Sequence, residues 1–306
     1  MNLFCDLNII IFSTKFIVIF DFVVLNFHIM KNFGLVLPLL AAIIFSCKPS
    51  PNKVNEQKDT VAIESKVKEY SFVGQPIVPE AEIISNGKFW AYYSSNIELY
   101  EDFVAFDVSG NVIDKAKFLN EIKSGKYYPL AIYSKDEQLN YKLAKIPAKA
   151  DQFISAYMRQ FGSEHLTFYN MQGKPVPEFS FTDVNGKLYT SANTKGKIVL
   201  FKCWFIGCSA CVAEMPALNQ IVEKYKNRDD ILFISLAMDP KKDLQNFLSK
   251  TKFDYATVPN QTKYMDDQLH VRAYPTHFLI DKKGNMVRAL PDEVQVAEAL
   301  EKEITK

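Results

Sequence analysis

Two cysteines separated by two residues, Cys208 and Cys211, follow an apolar run and precede a helical pattern. The apolar run at 197–204, KIVLFKCW, has the continuous hydrophobicity of a central strand that is covered on both faces. A helix is predicted from about 209 to 226. This arrangement constrains the chain more than any other feature, because it defines both a strand-to-helix unit and a pair of reactive thiols.

The alternation of strands and helices continues on both sides of this unit. Two short strands flank the turn at Asn185 and Gly186 and are predicted to form a hairpin. The rest of the pattern predicts strands at 230–238, 276–281 and 286–290, helices at 241–250 and 292–304, and a helical turn near 262–269. The fold class is therefore α/β, with a central mixed sheet that has helices on both faces.

The placement of Cys208 predicts a nucleophile. At the start of a helix, unpaired backbone N–H groups and the helix dipole stabilise a thiolate and lower the cysteine pKa from about 8.5. Cys211 lies one turn further along, close enough to form a disulfide, and is the predicted resolving thiol. Because the cysteine pair itself is redox-active, we expect no metal and no organic cofactor, and a partner must supply the electrons.

Residues 173–306 resemble the thioredoxin-fold domains of the TlpA/ResA type, which are membrane-anchored extracytoplasmic thiol-disulfide reductases of bacteria. The resemblance rests on PEFSFTDVNGK at the entry, WFIGCSACVAEMP around the cysteines and YPTHFLIDKKG behind them. It implies a thioredoxin fold and an enzyme that reduces protein disulfides. It also implies two kinds of partner, namely disulfide-containing or dithiol protein substrates and a membrane electron donor.

The resemblance also assigns site residues. Pro275 is expected to form a cis peptide bond beside the disulfide, and Pro216 to bend the helix after it. Glu214 is expected to accept or relay the proton of Cys211, and a plain solvated helix carboxylate is the alternative. No metal ligand is expected. Substrate contacts are assigned to four residues, Trp204, Gly207, Tyr274 and Thr276.

Three positions depart from the family pattern. Ala210 replaces the usual proline of the spacer, which leaves the direction of the reaction open, because related CxxC proteins have potentials from about −270 to about −120 mV. Lys202 stands where thioredoxin has a buried aspartate, so no carboxylate base can come from that position, and this favours Glu214 as the base. Gly207 replaces a tryptophan and makes the apolar rim thinner.

Two other residues near the site, Cys203 and His277, are expected to have structural roles. Cys203 lies in an apolar strand and is predicted to be a core residue. His277 is predicted to be a strand-face residue rather than a catalytic one, and His270 is close to it in sequence.

A small α+β domain of unknown role is predicted for residues 70–165. Within it, the stretch 103–134 has the pattern of a strand, a turn at 109–111, a helix at about 114–123 and a second strand. Its aromatic residues are predicted to lie in the core and on the sheet faces. They include Trp90, Tyr92, Tyr93, Tyr127 and Tyr128.

The N-terminus resembles a bacterial lipoprotein signal peptide. Residues 30–47, MKNFGLVLPLLAAIIFSC, have a basic start, an apolar run and the lipobox IFSC, so Cys47 is the predicted lipidation site. The polar residues 47–69 would then be a tether, and Met30 would be the true start behind a miscalled upstream segment. This places the protein on the periplasmic side of a bacterial membrane, held by lipid. A signal peptide or signal anchor with an incidental cysteine is the alternative.

Composition narrows the function classes. A net charge of +1 gives no indication of a nucleic-acid partner, and five cysteines in 306 residues are too few for a disulfide-stapled fold. A dithiol oxidase or isomerase is the main alternative to a reductase. A thiol peroxidase would need a Pro and Thr pattern that 205–207 lack, and a metal site would need a second CxxC. A binding protein on a thioredoxin scaffold is a further alternative.

Overall fold

The computed structural model describes residues 73–84, 87–136 and 138–306. The predicted signal peptide, the start at Met30, the lipidation site at Cys47 and the tether lie outside the described residues. Among the helices of the described ranges, none combines the length and the apolar character that crossing a bilayer requires.

A four-stranded sheet with helices forms the first part of the described chain. Its strand order is β2-β1-β4-β3, in which only the central β1–β4 pair is parallel. The strand, turn, helix and strand predicted for 103–134 are all present. The elements are α1 (Glu80–Ile83), α2 (Lys88–Asn96), β1 (Val104–Phe106), β2 (Val112–Ile113), α3 (Lys115–Lys123), β3 (Tyr127–Ala131), β4 (Asn140–Lys145) and α4 (Gln152–Met171).

Helix α4 is absent from the predicted elements and runs through the predicted domain end at 165. It begins at Asp151, whose side chain accepts a hydrogen bond from the backbone N–H of Phe153 at 2.9 Å. Ile154 and Met158 pack in the core of the first sheet, whereas Phe168 packs in a core of the second sheet. The two sheets are therefore joined by a shared helix rather than by a linker.

A five-stranded sheet forms the second part, in the order β11-β10-β7-β8-β9. Strands β7, β8 and β9 are parallel, and β10 runs antiparallel to both β7 and β11. The mixed sheet is as predicted, but β9 was not predicted. The elements are β5 (Ser180–Thr182), β6 (Leu188–Thr190), β7 (Ile198–Trp204), α5 (Ser209–Ala213), α6 (Met215–Lys224), β8 (Ile231–Ala237), α7 (Lys241–Leu248), β9 (Ala256–Val258), β10 (Thr276–Ile280), β11 (Met286–Leu290) and α8 (Glu293–Ile304), with a π-helical turn at Tyr264–Gln268.

Strand β7 is buried along its whole length and separates two cores. Phe201 packs on one face with Phe168 of α4 and with the β5–β6 hairpin. Leu200 packs on the other face with Leu218 of α6 and Val296 of α8. Because side chains alternate along a strand, this continuous apolar run covers both faces at once. The result is the thioredoxin fold implied by the resemblance.

The single helix predicted after the cysteines is two helices. Helix α5 ends and α6 begins at Glu214, which has φ −82° and ψ −12°, and Pro216 lies in the first turn of α6. Proline has no backbone N–H to donate to the preceding turn, so the helix is interrupted there. The bend expected from Pro216 is therefore present, and it lies directly after the CxxC.

Candidate active site

Cys208 and Cys211 form a disulfide, with an Sγ–Sγ distance of 2.04 Å. Cys208 is the residue that begins α5, and its sulfur accepts a hydrogen bond from the backbone N–H of Cys211 at 3.2 Å. The two cysteines differ in accessibility, because Cys208 is 8% exposed and Cys211 is fully buried. A substrate thiol or disulfide can therefore approach this bond only from the side of Cys208.

The rim around Cys208 is built from the loop between β7 and α5. Gly207, which directly precedes Cys208, is exposed. The ring of Phe205 meets the ring of Tyr274 edge to face, with 5.6 Å between centroids. Asp239 fixes the loop, because its Oδ2 accepts the backbone N–H of Ile206 at 2.8 Å.

The loop before β10 lies at the same end of the sheet. The peptide bond between Tyr274 and Pro275 is cis, as predicted. Thr276 pairs with Cys203 near the end of β7, the strand that leads to the CxxC, so the register brings Pro275 to the disulfide end of the sheet. The Thr276 hydroxyl donates to the carbonyl of Ala273 at 2.8 Å and is turned away from solvent.

Trp204 does not lie where a substrate residue must be. Its side chain is fully buried between Phe247 and Phe253, with ring centroids at 5.6 and 5.8 Å. The assignment of Trp204 as a substrate contact is therefore corrected to a core residue. The physical reason is the alternation of β7, which points this large ring under α7 rather than towards the rim.

Glu214 is buried rather than solvated. Its carboxylate forms an ion pair with Lys202 of β7, and both carboxylate oxygens lie 3.2 Å from Nε2 of His277 on β10. Lys202 also donates to the backbone carbonyl of Cys211 at 3.1 Å. The side chains of Lys202, Glu214 and His277 are 0%, 5% and 1% exposed. The solvated alternative for Glu214 is therefore wrong.

Strand register explains why these groups meet. His277 lies directly opposite Lys202 in the β10–β7 pair, and Lys202 lies opposite Ser235 in the β7–β8 pair. Ser235 in turn lies opposite Thr257 of β9, and its hydroxyl donates to the Thr257 hydroxyl at 3.0 Å. Opposed residues of neighbouring strands share a face. A buried polar row thus crosses four strands of an otherwise apolar sheet.

The electrostatics of the cluster favour a carboxylate at Glu214. Burial by itself raises the pKa of Glu214, but the hydrogen bond and charge of His277 and the charge of Lys202 outweigh it and lower that pKa below its usual value. Burial lowers the pKa of Lys202, and Glu214 opposes this effect. We take the ion pair as the stable state, because each charged group has the other as its buried partner.

Lys202 and His277 were not predicted to act as a set. A signal was available, since each is an ionisable residue inside a predicted strand that is otherwise largely apolar. Such residues are buried in proteins when they have a partner. The partner could not be identified from the sequence, because it depends on the pairing of β7 with β10.

Two further residues lie apart from this cluster. Cys203 is fully buried in the opposite core, as predicted, and burial raises the pKa of its thiol. His270 lies on an exposed loop with a φ of 56°.

The arrangement supports thiol-disulfide exchange. It combines an accessible sulfur, a buried second sulfur one helical turn away and a buried carboxylate held by two donors. The first sulfur can be attacked or can attack from solvent, and the second can close the pair without competition from outside.

Comparison with known proteins agrees with this chemistry. The model of the AhpC/TSA family matches residues 172–289. The thiol-disulfide oxidoreductase ResA of Bacillus cereus is 31% identical over 129 residues, which cover 42% of this chain and 74% of that relative. The ResA protein of Geobacillus kaustophilus is 29% identical over 115 residues, which cover 37% of this chain and 66% of that relative.

Among solved structures, the thioredoxin domain of a thiol-disulfide oxidoreductase from Bacteroides vulgatus is 23% identical. It covers 43% of this chain and 96% of its own, with a TM-score of 0.40. The residues matched by the AhpC/TSA model include Cys208 and Cys211.

Proposed function

This chain belongs to the family of ResA thiol-disulfide oxidoreductases, and from that premise we propose that it reduces disulfides in partner proteins outside the cytoplasm. The observation that carries the proposal is the unequal exposure of the two cysteines, 8% for Cys208 and 0% for Cys211. A more accessible attacking cysteine and a protected resolving cysteine are what stepwise reduction of a large disulfide substrate requires.

The reaction proceeds in two exchanges. The Cys208 thiolate attacks one sulfur of the substrate disulfide, and the other substrate sulfur leaves as a thiolate and takes a proton. Cys211 then gives its proton to Glu214 and attacks Sγ of Cys208, which releases the second substrate thiol. The substrate gains two electrons and the protein is left with the Cys208–Cys211 disulfide. A dithiol partner at the membrane then returns the two electrons, and no cofactor beyond the cysteine pair takes part.

The rim supplies the substrate surface in this proposal. Tyr274 is half-buried and packs against the cluster that contains Cys208, and Gly207 is exposed directly before that cysteine. The backbone of Tyr274 before Pro275 is the proposed contact for an extended substrate. Thr276 acts indirectly, because its hydroxyl ties the loop to Ala273.

Two alternatives use the same atoms. A dithiol oxidase runs the exchange in reverse, and an isomerase attacks and leaves without net electron transfer. A thiol peroxidase shares the fold, and the AhpC/TSA model matches this region, but residues 205–207 before Cys208 lack the Pro and Thr pattern of a peroxidatic cysteine. No contact in the described ranges favours any of these over the reductase.

The reduction potential of the Cys208–Cys211 pair decides between reductase and oxidase. The potential is measured by equilibrating the full chain with dithiothreitol buffers and counting the thiols by mass after alkylation. We expect a value of about −270 mV. A value approaching about −120 mV would identify a dithiol oxidase instead. The variant Cys203→Ala is the matched control, because its remaining pair should titrate at the same potential.

The extracytoplasmic location is supported by the sequence alone, through the apolar run and the lipobox that end at Cys47. We expect the mature protein to begin at a lipidated Cys47. Mass spectrometry of protein purified from membranes measures this directly, and Cys47→Ser should remain unlipidated. A mature chain that retains residues 1–46 contradicts the proposed anchor.

A further inference from the structure

We propose that Lys202 and His277 are positioning residues that hold the Glu214 carboxylate behind Cys211 as the proton acceptor of the resolving step. This inference rests on the proposed function, since it concerns how the second exchange is activated. It goes beyond that function because it assigns roles to two residues on different strands that do not touch the substrate.

Lys202 and His277 both contact the Glu214 carboxylate. Lys202 donates at once to the Glu214 carboxylate and to the backbone carbonyl of Cys211, which lies 3.1 Å from Nζ. The lysine therefore ties the base to the residue that carries the thiol. His277 approaches the same carboxylate from β10, with Nε2 at 3.2 Å from each oxygen. Two donors on two strands leave the carboxylate little freedom to turn.

The charges of Lys202 and Glu214 compensate each other. A buried carboxylate without a cation is costly, and a group in that position takes up a proton instead. Lys202 supplies the opposite charge within the same buried space, so the Lys202–Glu214 pair carries no net charge before the step. When the proton has moved from Cys211 to Glu214, the negative charge is on the Cys211 thiolate, and Lys202 donates to the backbone carbonyl of that residue. The net charge of the cluster is unchanged, because only a proton has moved within it.

The imidazole of His277 contacts Glu214 through one ring nitrogen. Nε2 of His277 faces the carboxylate, and within the described residues its buried Nδ1 has no hydrogen-bond partner. His277 therefore holds the Glu214 carboxylate through Nε2 alone. The proton of the Cys211 thiol goes to Glu214.

Among the described residues, few other ionisable groups act on the cluster. Glu214 contacts Lys202 from β7 and His277 from β10, and Tyr255, before β9, also contributes to its electrostatic environment. Cys203 of β7 and Glu293, at the start of α8, act on Lys202 through their charges. Burial raises the pKa of Tyr255, so its hydroxyl stays neutral at the pH of the reaction. Lys202 and His277 thus set the ionisation state of Glu214.

The direction of the pH effect follows from this environment. Glu214 accepts a proton only when it is ionised, so the resolving rate falls as pH falls through its pKa. Lys202 and His277 lower that pKa, and the loss of either raises it. Removal of a nearby opposite charge changes a carboxyl pKa by about 1–3 units. Variants that lack Lys202 should therefore lose the resolving rate at higher pH than wild type.

Stopped-flow reaction of the reduced full chain with dithiobis(nitrobenzoate), an aromatic disulfide, separates the two steps. The Cys208 thiolate attacks, the aromatic disulfide breaks, and one coloured thiolate leaves while a mixed disulfide forms. Cys211 then loses its proton to Glu214 and attacks Sγ of Cys208. The mixed disulfide breaks, and the second coloured thiolate leaves with the electron pair of that bond. The first phase reports Cys208 and the second reports Cys211.

The acid limb is the fall in the rate of the second phase as pH is lowered. We expect Lys202→Met to move this limb up by about 1–3 pH units and to leave the rate of the first phase unchanged. His277→Phe should move it in the same direction, and His277→Gln, which keeps a donor, should restore it. Glu214→Gln should slow the second phase by about 100-fold or more and abolish the limb. Lys195→Met, at an exposed lysine before β7, is the matched control.

The outcomes separate a failure of the proposed function from a failure of the positioning role. If the wild type shows no first phase, the proposed function fails. If the first phase is normal but the limb of both Lys202→Met and His277→Phe matches wild type, the positioning role is overturned. The double variant Lys202→Met with Glu214→Gln should be no slower than Glu214→Gln alone, and an additive loss would also overturn it. If Lys202→Met does not fold by circular dichroism, the two His277 variants carry the test.

Discussion

The two cysteines of the pair are three residues apart and chemically identical, yet their surroundings differ. Cys208 is at the edge of the rim beside Gly207, whereas Cys211 is fully covered by the packing of α5 on the sheet. The N–H of Cys211 points at the sulfur of Cys208, which stabilises negative charge on the exposed sulfur. Attack by Cys208 and resolution by Cys211 therefore follow from position.

This asymmetry predicts the behaviour of the single cysteine variants. Cys211→Ser should accumulate a mixed disulfide between Cys208 and a protein substrate, because nothing resolves it. Cys208→Ser should accumulate none, since Cys211 is out of reach. Non-reducing gel electrophoresis with mass identification of the adduct measures this. Cys203→Ala is the control and should turn over like wild type, because Cys203 lies in the opposite core. Equal trapping by both variants would contradict the assignment.

At the scale of elements, the site depends on how a helix is interrupted and how two strands pair. The break at Glu214 directs this residue into the sheet instead of along the surface of one continuous helix. The pairing of β10 with β7 then sets His277 opposite Lys202. A shift of that register by one residue would turn His277 to the other face, because side chains alternate along a strand.

Helix α4 shows the same dependence on packing. Gly162 lies where α4 crosses the end of α3, and a Cβ atom built there would be 2.3 Å from the backbone nitrogen of Lys123. Only glycine fits at this close approach, because it has no Cβ atom. The glycine is a poor helix former by itself, so its value in α4 comes from the neighbouring helix.

At the scale of the whole described molecule, the two sheets are connected in two ways. Helix α4 contributes Met158 to one core and Phe168 to the other. Arg288 of β11 forms ion pairs with Glu101 at 2.5 Å and Asp102 at 2.9 Å, in the segment before β1. Loss of structure in one part removes packing from the other, so we expect the two sheets to unfold together.

The two tryptophans of the chain allow a direct test, because Trp90 lies in the first part and Trp204 in the second. The single-tryptophan variants Trp90→Phe and Trp204→Phe should each show one urea transition. Met158→Ala, which empties a fully buried site, should lower the free energy of unfolding by about 2–5 kcal/mol for both probes.

Gln160→Ala, on the exposed side of the same helix, is the matched control and should leave both transitions in place. If Met158→Ala shifted only the transition seen by Trp90, the two sheets would be independent domains.

The sequence by itself determined the reactive pair, the alternation of strands and helices, the bend at Pro216 and the buried state of Cys203. These depend on neighbours within one or two turns of the chain or on a continuous apolar run, so local patterns are sufficient. The tertiary structure alone decided that Trp204 is a core residue, that α4 joins the two sheets, and that Lys202, Glu214 and His277 form one buried cluster. Each of these depends on contacts between residues far apart in the chain, and strand register and helix packing set those contacts.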